Sequence, residues 1–288
     1  MNPSALPFRH AVVTGACGGL GQALARELLA AGAHVTLVGL NRDALQTLAD
    51  LAPGRTAIHT VDVSDSSAMQ AMAAQAIARA GLPDLVVANA GVAGGMDTAD
   101  AGDLAVMRRM LEINLLGPAV TFQPFVKAAR QTPGARCALV GVASIAGWRG
   151  MPGNGAYCAS KGGLIRYLES LRAECRGTGL SVHTVSPGYL RTPLTAGNRF
   201  AMPGLMEADV AARALLQGVA HGREHIVLPR HIGWLSRLLA CLPARWHDRI
   251  LLRQPRKPRP GEAGSTPIPG LATGLARANS QPPPPPTT

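Results

Sequence analysis

The chain has 288 residues, which suits one large α/β domain with an appendage better than two full domains. Hydrophobic residues make up 47% of it but aromatics only 3%, so Ala, Leu and Val must fill the core. The net charge is +11, with ten Arg or Lys against three Asp or Glu in residues 223–288; no nucleic-acid-binding motif accompanies it, which argues against such a partner.

In chain order, short apolar runs alternate with helical patterns. The runs are His10–Thr14, His34–Gly39, Ala57–Val61, Asp84–Ala88, Arg136–Val142, Leu180–Val185 and His225–Leu228. Between them lie helical patterns at Gly19–Ala31, Asp43–Leu51, Ser66–Arg79, Asp103–Arg130, Gly155–Arg176 and Glu207–Ala220. This alternation predicts βαβ units and seven parallel strands in a three-layer, doubly wound α/β fold. After the last strand, His231–Arg253 has apolar residues near helical spacing with Arg between them, and Pro243 should split it into two short helices. From Gln254 onward Pro, Gly, Ser, Thr and Arg dominate, which predicts a disordered tail over 254–288. The domains are thus read as 1–230 (catalytic), 231–253 (basic amphipathic extension) and 254–288 (tail).

The five cysteines include no C-x-x-C pair, so a disulfide framework or zinc site is not expected and a reducing cytoplasm is. No signal peptide or run of 18 apolar residues is found, so no span is expected. His59, His183 and His225 lie in or near strands without ligand partners and read as structural.

Thr14-Gly15-Ala16-Cys17-Gly18-Gly19-Leu20-Gly21 follows the first strand and opens the first helix. Glycines there let the backbone approach a pyrophosphate, and the helix N-terminus offers free N–H groups and a positive dipole end. Further on, Tyr157 and Lys161 stand four apart on one helix face. An ammonium near a phenol favours the phenolate, so Tyr157 can give a proton in one direction and take it in the other. Alone, the pair could equally be a half-buried Tyr beside a solvated Lys.

These motifs together resemble the short-chain dehydrogenase/reductase superfamily, in its compact single-domain, Rossmann-type branch, over about residues 8–230. The loop resembles the family's Thr-Gly-x-x-x-Gly-x-Gly. Asp62-Val63 corresponds to the positions that contact adenine, Asn89-Ala90-Gly91 to the Asn-Ala-Gly after the fourth strand, and Pro187-Gly188 with Leu190 and Thr192 to the stretch that holds the nicotinamide carboxamide. Ser144 lies 13 residues before Tyr157, as the family's catalytic serine does, at the carboxyl end of a predicted strand. The resemblance implies a catalytic tetrad of Asn114, Ser144, Tyr157 and Lys161, and hydride transfer between a nicotinamide and a carbonyl or alcohol.

At the end of the second strand an acid would favour NAD; the residue is Gly39, followed by Leu40, Asn41 and Arg42. The missing acid and Arg42 lean slightly to NADP(H) over NAD(H). The expected pocket wall, Val92–Met96, Ile145–Asn154 and Tyr189–Met206, includes Trp148, Met151, Leu194, Phe200 and Met202 and has no clustered Arg or Lys. It implies a hydrophobic substrate, lipid-, steroid- or retinoid-like. The basic tail helices imply a lid, a homodimer or homotetramer contact, or peripheral attachment to an anionic membrane. Two other readings compete: a lyase or isomerase using bound NAD(P), and a non-catalytic dinucleotide-binding regulator.

Overall fold

The computed structural model describes residues 6–198, 201–252 and 256–271. In chain order the elements are β1 (His10–Thr14), α1 (Gly19–Ala30), β2 (His34–Gly39), α2 (Arg42–Ala49), β3 (Thr56–Thr60), α3 (Ser66–Ala80), β4 (Leu85–Ala88) and α4 (Asp103–Leu111). A π-helical turn (Glu112–Leu116) joins α4 to α5 (Gly117–Arg130). Then come β5 (Cys137–Val142), α6 (Gly155–Glu174), β6 (Leu180–Pro187), β7 (Leu190–Arg191), α7 (Pro193–Ala196), β8 (Met206–Glu207), α8 (Ala208–Ala220), β9 (His225–Leu228), α9 (Arg230–Ala240) and α10 (Ala244–Leu251).

Seven strands form one parallel sheet in the order β3-β2-β1-β4-β5-β6-β9, as the alternating pattern predicts. A parallel sheet is covered on both faces, so its central strands are apolar throughout; β1, β4 and β5 are buried at every position. One face packs on α1, α2 and α8 through Leu24, Leu28, Leu45, Leu48, Leu215 and Leu216. The other packs on α3, α4, α5 and α6 through Met69, Met110, Phe122, Phe125, Leu164 and Leu168. Strand order reverses between β1 and β4, so their carboxyl ends open a crevice where open α/β sheets bind ligands.

Beyond the sheet, β7 and β8 form a two-residue parallel ladder, too short for the sequence pattern to show. Pro243 caps α10 and separates it from α9, as expected. Within the stretch read as a disordered tail, residues 256–271 instead lie against the domain. Arg259 pairs with Asp100 and Asp103, Ile268 is buried against Met110, and the Pro258 carbonyl accepts from the Gly95 N–H at 2.8 Å. Residues 272–288, with the five prolines, lie outside the described residues.

Candidate active site

The glycine loop is shaped by what a side chain would strike. Gly15 has φ +64°, and a Cβ there would stand 2.7 Å from the Ala90 Cα. A Cβ on Gly21 would come within 2.1 Å of the Gly15 carbonyl oxygen. The loop therefore folds back on the start of α1, whose N-cap is Gly18, with no capping side chain over the first N–H groups. Those groups and the bare glycine backbone fit a dinucleotide pyrophosphate.

Asn89 ties this loop to the end of β4. Its Nδ2 donates to the carbonyls of Thr14 (3.0 Å) and Gly15 (3.2 Å), and Thr14 Oγ1 accepts from the N–H groups of Asn89 and Ala90. Gly91 then passes over the chemistry: a Cβ on it would be 3.3 Å from both Asn114 Oδ1 and Lys161 Nζ. On the opposite side Gly19 abuts Thr192, and Ser144 Oγ donates to the Pro187 carbonyl at 3.4 Å.

The four candidate catalytic residues converge here. Ser144 follows β5, with its hydroxyl close enough to the Tyr157 phenol to act on that group's pKa. Tyr157 and Lys161 share a face of α6, with the ammonium 6.0 Å from the ring centre. Lys161 Nζ donates to the Val142 carbonyl at 2.8 Å. Asn114 is fully buried in the π-helical turn. Its Oδ1 accepts from the Val92 N–H (2.9 Å), and its Nδ2 donates to the Val92 carbonyl (2.9 Å) and to Ser160 Oγ (3.0 Å). It sits behind the cavity wall, not in it.

Burial dominates the electrostatics of this protein-only site. It pushes the Tyr157 phenol up to about 12, against a lowering effect of Ser144, and pulls Lys161 down to about 8. Sequence reasoning expected the ammonium to favour the phenolate; with the phenol desolvated, the neutral form is the favoured one.

One cavity of about 950 Å³ takes in the glycine loop, Leu40, Asn41, Asp62, Val63, Asn89–Gly91, Ser144, Tyr157, Lys161, Pro187, Gly188, Leu190 and Thr192. That volume is ample for a cofactor and a substrate. Of the sequence-derived cofactor residues, Arg42 is exposed at the start of α2 and does not line it. Trp148, Met151 and Leu194 line the substrate end, Met96 and Met202 do not, and Phe200 lies outside the described residues.

Three further contributions shape the site. Arg109 pairs with Asp62 and Glu112 and lines the cavity. Ser64 and Arg109 outweigh the effect of burial and hold the Asp62 carboxyl below its usual range. Ile232, Leu235, Leu239 and Leu251 of α9 and α10 close one side, and Lys257, Thr266, Pro267 and Pro269 reach in from the tail. Asp62 with Arg109 and the tail residues carry no local signal, being brought together from distant parts of the chain, whereas the inward leucines of α9 and α10 fall on the amphipathic stripe for which a lid was one expected role.

A nucleotide cradle at the sheet's switch point beside a Ser-Tyr-Lys set defines a dinucleotide-dependent oxidoreductase. The short chain dehydrogenase family model matches residues 9–202, and the chain belongs to that family. An uncharacterized oxidoreductase of Myxococcus xanthus is 37% identical over 86% of this chain and 98% of its own length. The cis-4-hydroxycyclohexanecarboxylate dehydrogenase of Sinomonas cyclohexanicum is 33% identical over 75% of this chain and 85% of its own. Among solved structures, a short chain dehydrogenase/reductase from Burkholderia phymatum in complex with NAD superposes with a TM-score of 0.72 at 24% identity, covering 88% of this chain and 98% of that one. A Burkholderia cenocepacia short chain dehydrogenase in complex with NADP gives the same TM-score and identity, with 88% and 100% covered.

Proposed function

We propose that the chain interconverts a hydrophobic secondary alcohol and its ketone, using NADP(H) in preference to NAD(H). The observation that carries this reading is the convergence of Ser144, Tyr157 and Lys161 with the glycine loop on one largely apolar cavity. When bound, the nicotinamide supplies or accepts the hydride. The chain's own residues handle the oxygen: Ser144 orients it, and the Tyr157 hydroxyl donates its proton as negative charge develops there. Lys161, held under Gly91 by Val142, fixes positive charge beside the phenol, and Asn114 holds the Val92 backbone over it.

The NADP(H) preference rests on the end of β2. Gly39 offers no acid to take a ribose hydroxyl, and a Cβ there would meet Cys17 Sγ at 2.4 Å, so that thiol would have to turn away. Arg42 is two residues past Leu40 and exposed; it does not line the cavity, so its guanidinium would have to swing inward to meet a 2′-phosphate. A screen of neutral methyl ketones with both reduced cofactors tests the whole reading. Catalytic efficiency should rise with chain length, by about 0.8 kcal/mol per methylene fully buried, and NADPH should outperform NADH. Arg42→Ala should weaken only the phosphorylated cofactor; equal losses for both would remove Arg42 from this role.

The tail helices support a second part of the reading, peripheral contact with an anionic membrane. Leu235, Leu239 and Leu251 line the cavity, while Trp234 (73% exposed), Leu238, Trp246 and Leu252 stand in solvent beside Arg237, Arg245 and Arg249. An apolar outer face fringed with Arg matches an interfacial helix. No helix among the described residues is long and apolar enough to cross a membrane. The protein should co-sediment with phosphatidylglycerol vesicles at low salt and release at high salt, and Trp234→Glu with Trp246→Glu should abolish this without lowering Tm. If vesicles never bind and the double variant alters the oligomer, the face contacts a second copy.

A further inference from the structure

The segment 256–271 forms a strap along the cavity, from the wall at Gly95 and Gly153 to Arg109, the partner of Asp62. Its first part is fixed to the loop after β4. The Arg256 stem packs on Gly153, the Pro258 carbonyl takes the Gly95 N–H, and Arg259 is held by Asp100 and by Asp103 at 2.7 Å. Its middle crosses to the C-terminus of α7, where a Cβ on Gly197 would meet the Gly264 carbonyl oxygen at 1.9 Å. Its last part returns to α4: Ile268 is buried against Met110 and Gly94, and the Pro269 carbonyl accepts from Arg109 Nε at 2.7 Å.

Lys257 is the strap residue held between two of these anchors, and it lines the cavity. Its main chain is pressed against Gly95, where a Cβ would fall 2.0 Å from the Lys257 carbonyl oxygen. Of the neighbouring cations, Arg256 is exposed and does not line the cavity, Arg259 is neutralised by two aspartates, and Arg149, which does line it, donates to the Ala240 and Leu242 carbonyls. No hydrogen bond or ion pair joins the Lys257 ammonium to any described residue, and desolvation alone lowers its pKa to about 8. On the same wall, beside Gly153, Asn154 lines the cavity with an Oδ1 that is buried and has no hydrogen-bond partner among the described residues.

We propose that Lys257 is a specificity residue that receives an anionic group, a carboxylate above all, at the far end of an otherwise apolar substrate. A half-buried ammonium without a counter-charge is costly, and a ligand that brings the counter-charge recovers that cost on binding. The surrounding wall of Trp148, Met151, Ile232 and Leu235 accepts an apolar body, so the matching molecule is an amphipathic oxo or hydroxy acid rather than a small keto acid. This rests on the oxidoreductase reading above and narrows its substrate class.

The test compares oxo acids with methyl ketones of equal chain length, for example 9-oxodecanoate with 2-decanone, over a homologous series. The full-length chain should prefer the acid at the best length by about 10- to 100-fold in kcat/KM, the range of one charge-assisted hydrogen bond. Lys257→Met should collapse that ratio towards one, and Lys257→Arg should keep most of it. Calorimetric binding of decanoate against decanamide gives a readout independent of turnover, and Lys257→Met should weaken decanoate alone. An unchanged acid-to-ketone ratio in Lys257→Met, with ketones still reduced, overturns the subsite and leaves the oxidoreductase reading standing. A loss of NADPH affinity in that variant would place the ammonium on the cofactor and overturn it too. Reduction of neither series, with decanoate still discriminated by Lys257, would overturn the oxidoreductase reading and uphold the anion subsite.

Discussion

Replacing Tyr157 by Phe should lower turnover by about 10²–10⁴, the range of a lost general acid, while leaving dinucleotide affinity and Tm close to wild type. Tyr157 is part-buried on the cavity wall, and desolvation pushes its pKa up to about 12, so it carries its proton throughout the neutral range. That suits it to protonate the oxygen of a ketone as hydride arrives. In the alcohol-oxidising direction the same group must lose its proton, so oxidation should speed up as pH rises while reduction does not. The positive charge of an oxidised nicotinamide would favour that loss. Phe preserves the ring and removes only the oxygen. A Phe variant that keeps near wild-type turnover would take Tyr157 out of the chemistry.

Lys161→Met should also cost about 10²–10⁴ in turnover, and its effect on stability should change with pH in a defined way. Lys161 is buried, with its pKa pulled from an ordinary 10.5 to about 8 by desolvation. The folded state therefore resists charging it, at a cost of roughly 3 kcal/mol below pH 8. Between pH 8 and 10.5 the unfolded chain holds the proton and the folded chain does not, so wild-type stability rises with pH across that window. Met escapes the cost but leaves the Val142 carbonyl without its donor, a loss of about 1–3 kcal/mol. Near pH 7 the variant should match or slightly exceed the wild type in denaturant unfolding. By pH 10 it should fall behind, by a relative swing approaching 3 kcal/mol. A constant difference from pH 7 to pH 10 would contradict a desolvated ammonium at this position.

The elements that carry the nucleotide cradle were legible because their signals are local. A buried parallel strand needs an unbroken apolar run, and the turn after β1 tolerates only glycine at positions such as Gly21, so both are written into adjacent residues. The spacing of Tyr157 and Lys161 on α6 is likewise a local fact, as is the break at Pro243. What local composition could not convey is the strap. Pro, Gly and Arg bury little by themselves, and the reading of disorder over 254–288 follows from that. What places 256–271 is Asp100, Asp103, Gly95, Gly197 and Arg109, all more than 60 residues away. The same limit hid Arg109 on Asp62, and it left the amphipathic stripe of α9 and α10 open between a lid, an oligomer contact and a membrane face, because which leucines turn onto the cavity depends on distant residues.

The most direct test of hydride transfer is the fate of a labelled hydrogen. The full-length chain is incubated with a long methyl ketone or its oxo-acid counterpart and NADPH bearing deuterium at C4 of the reduced ring, on each face in turn. Deuterium should appear on the carbinol carbon of the product alcohol from one face only, and the label should vanish from product with Tyr157→Phe over the same interval. Alcohol formed without deuterium from either face, or an altered substrate with no net consumption of NADPH, would contradict hydride transfer.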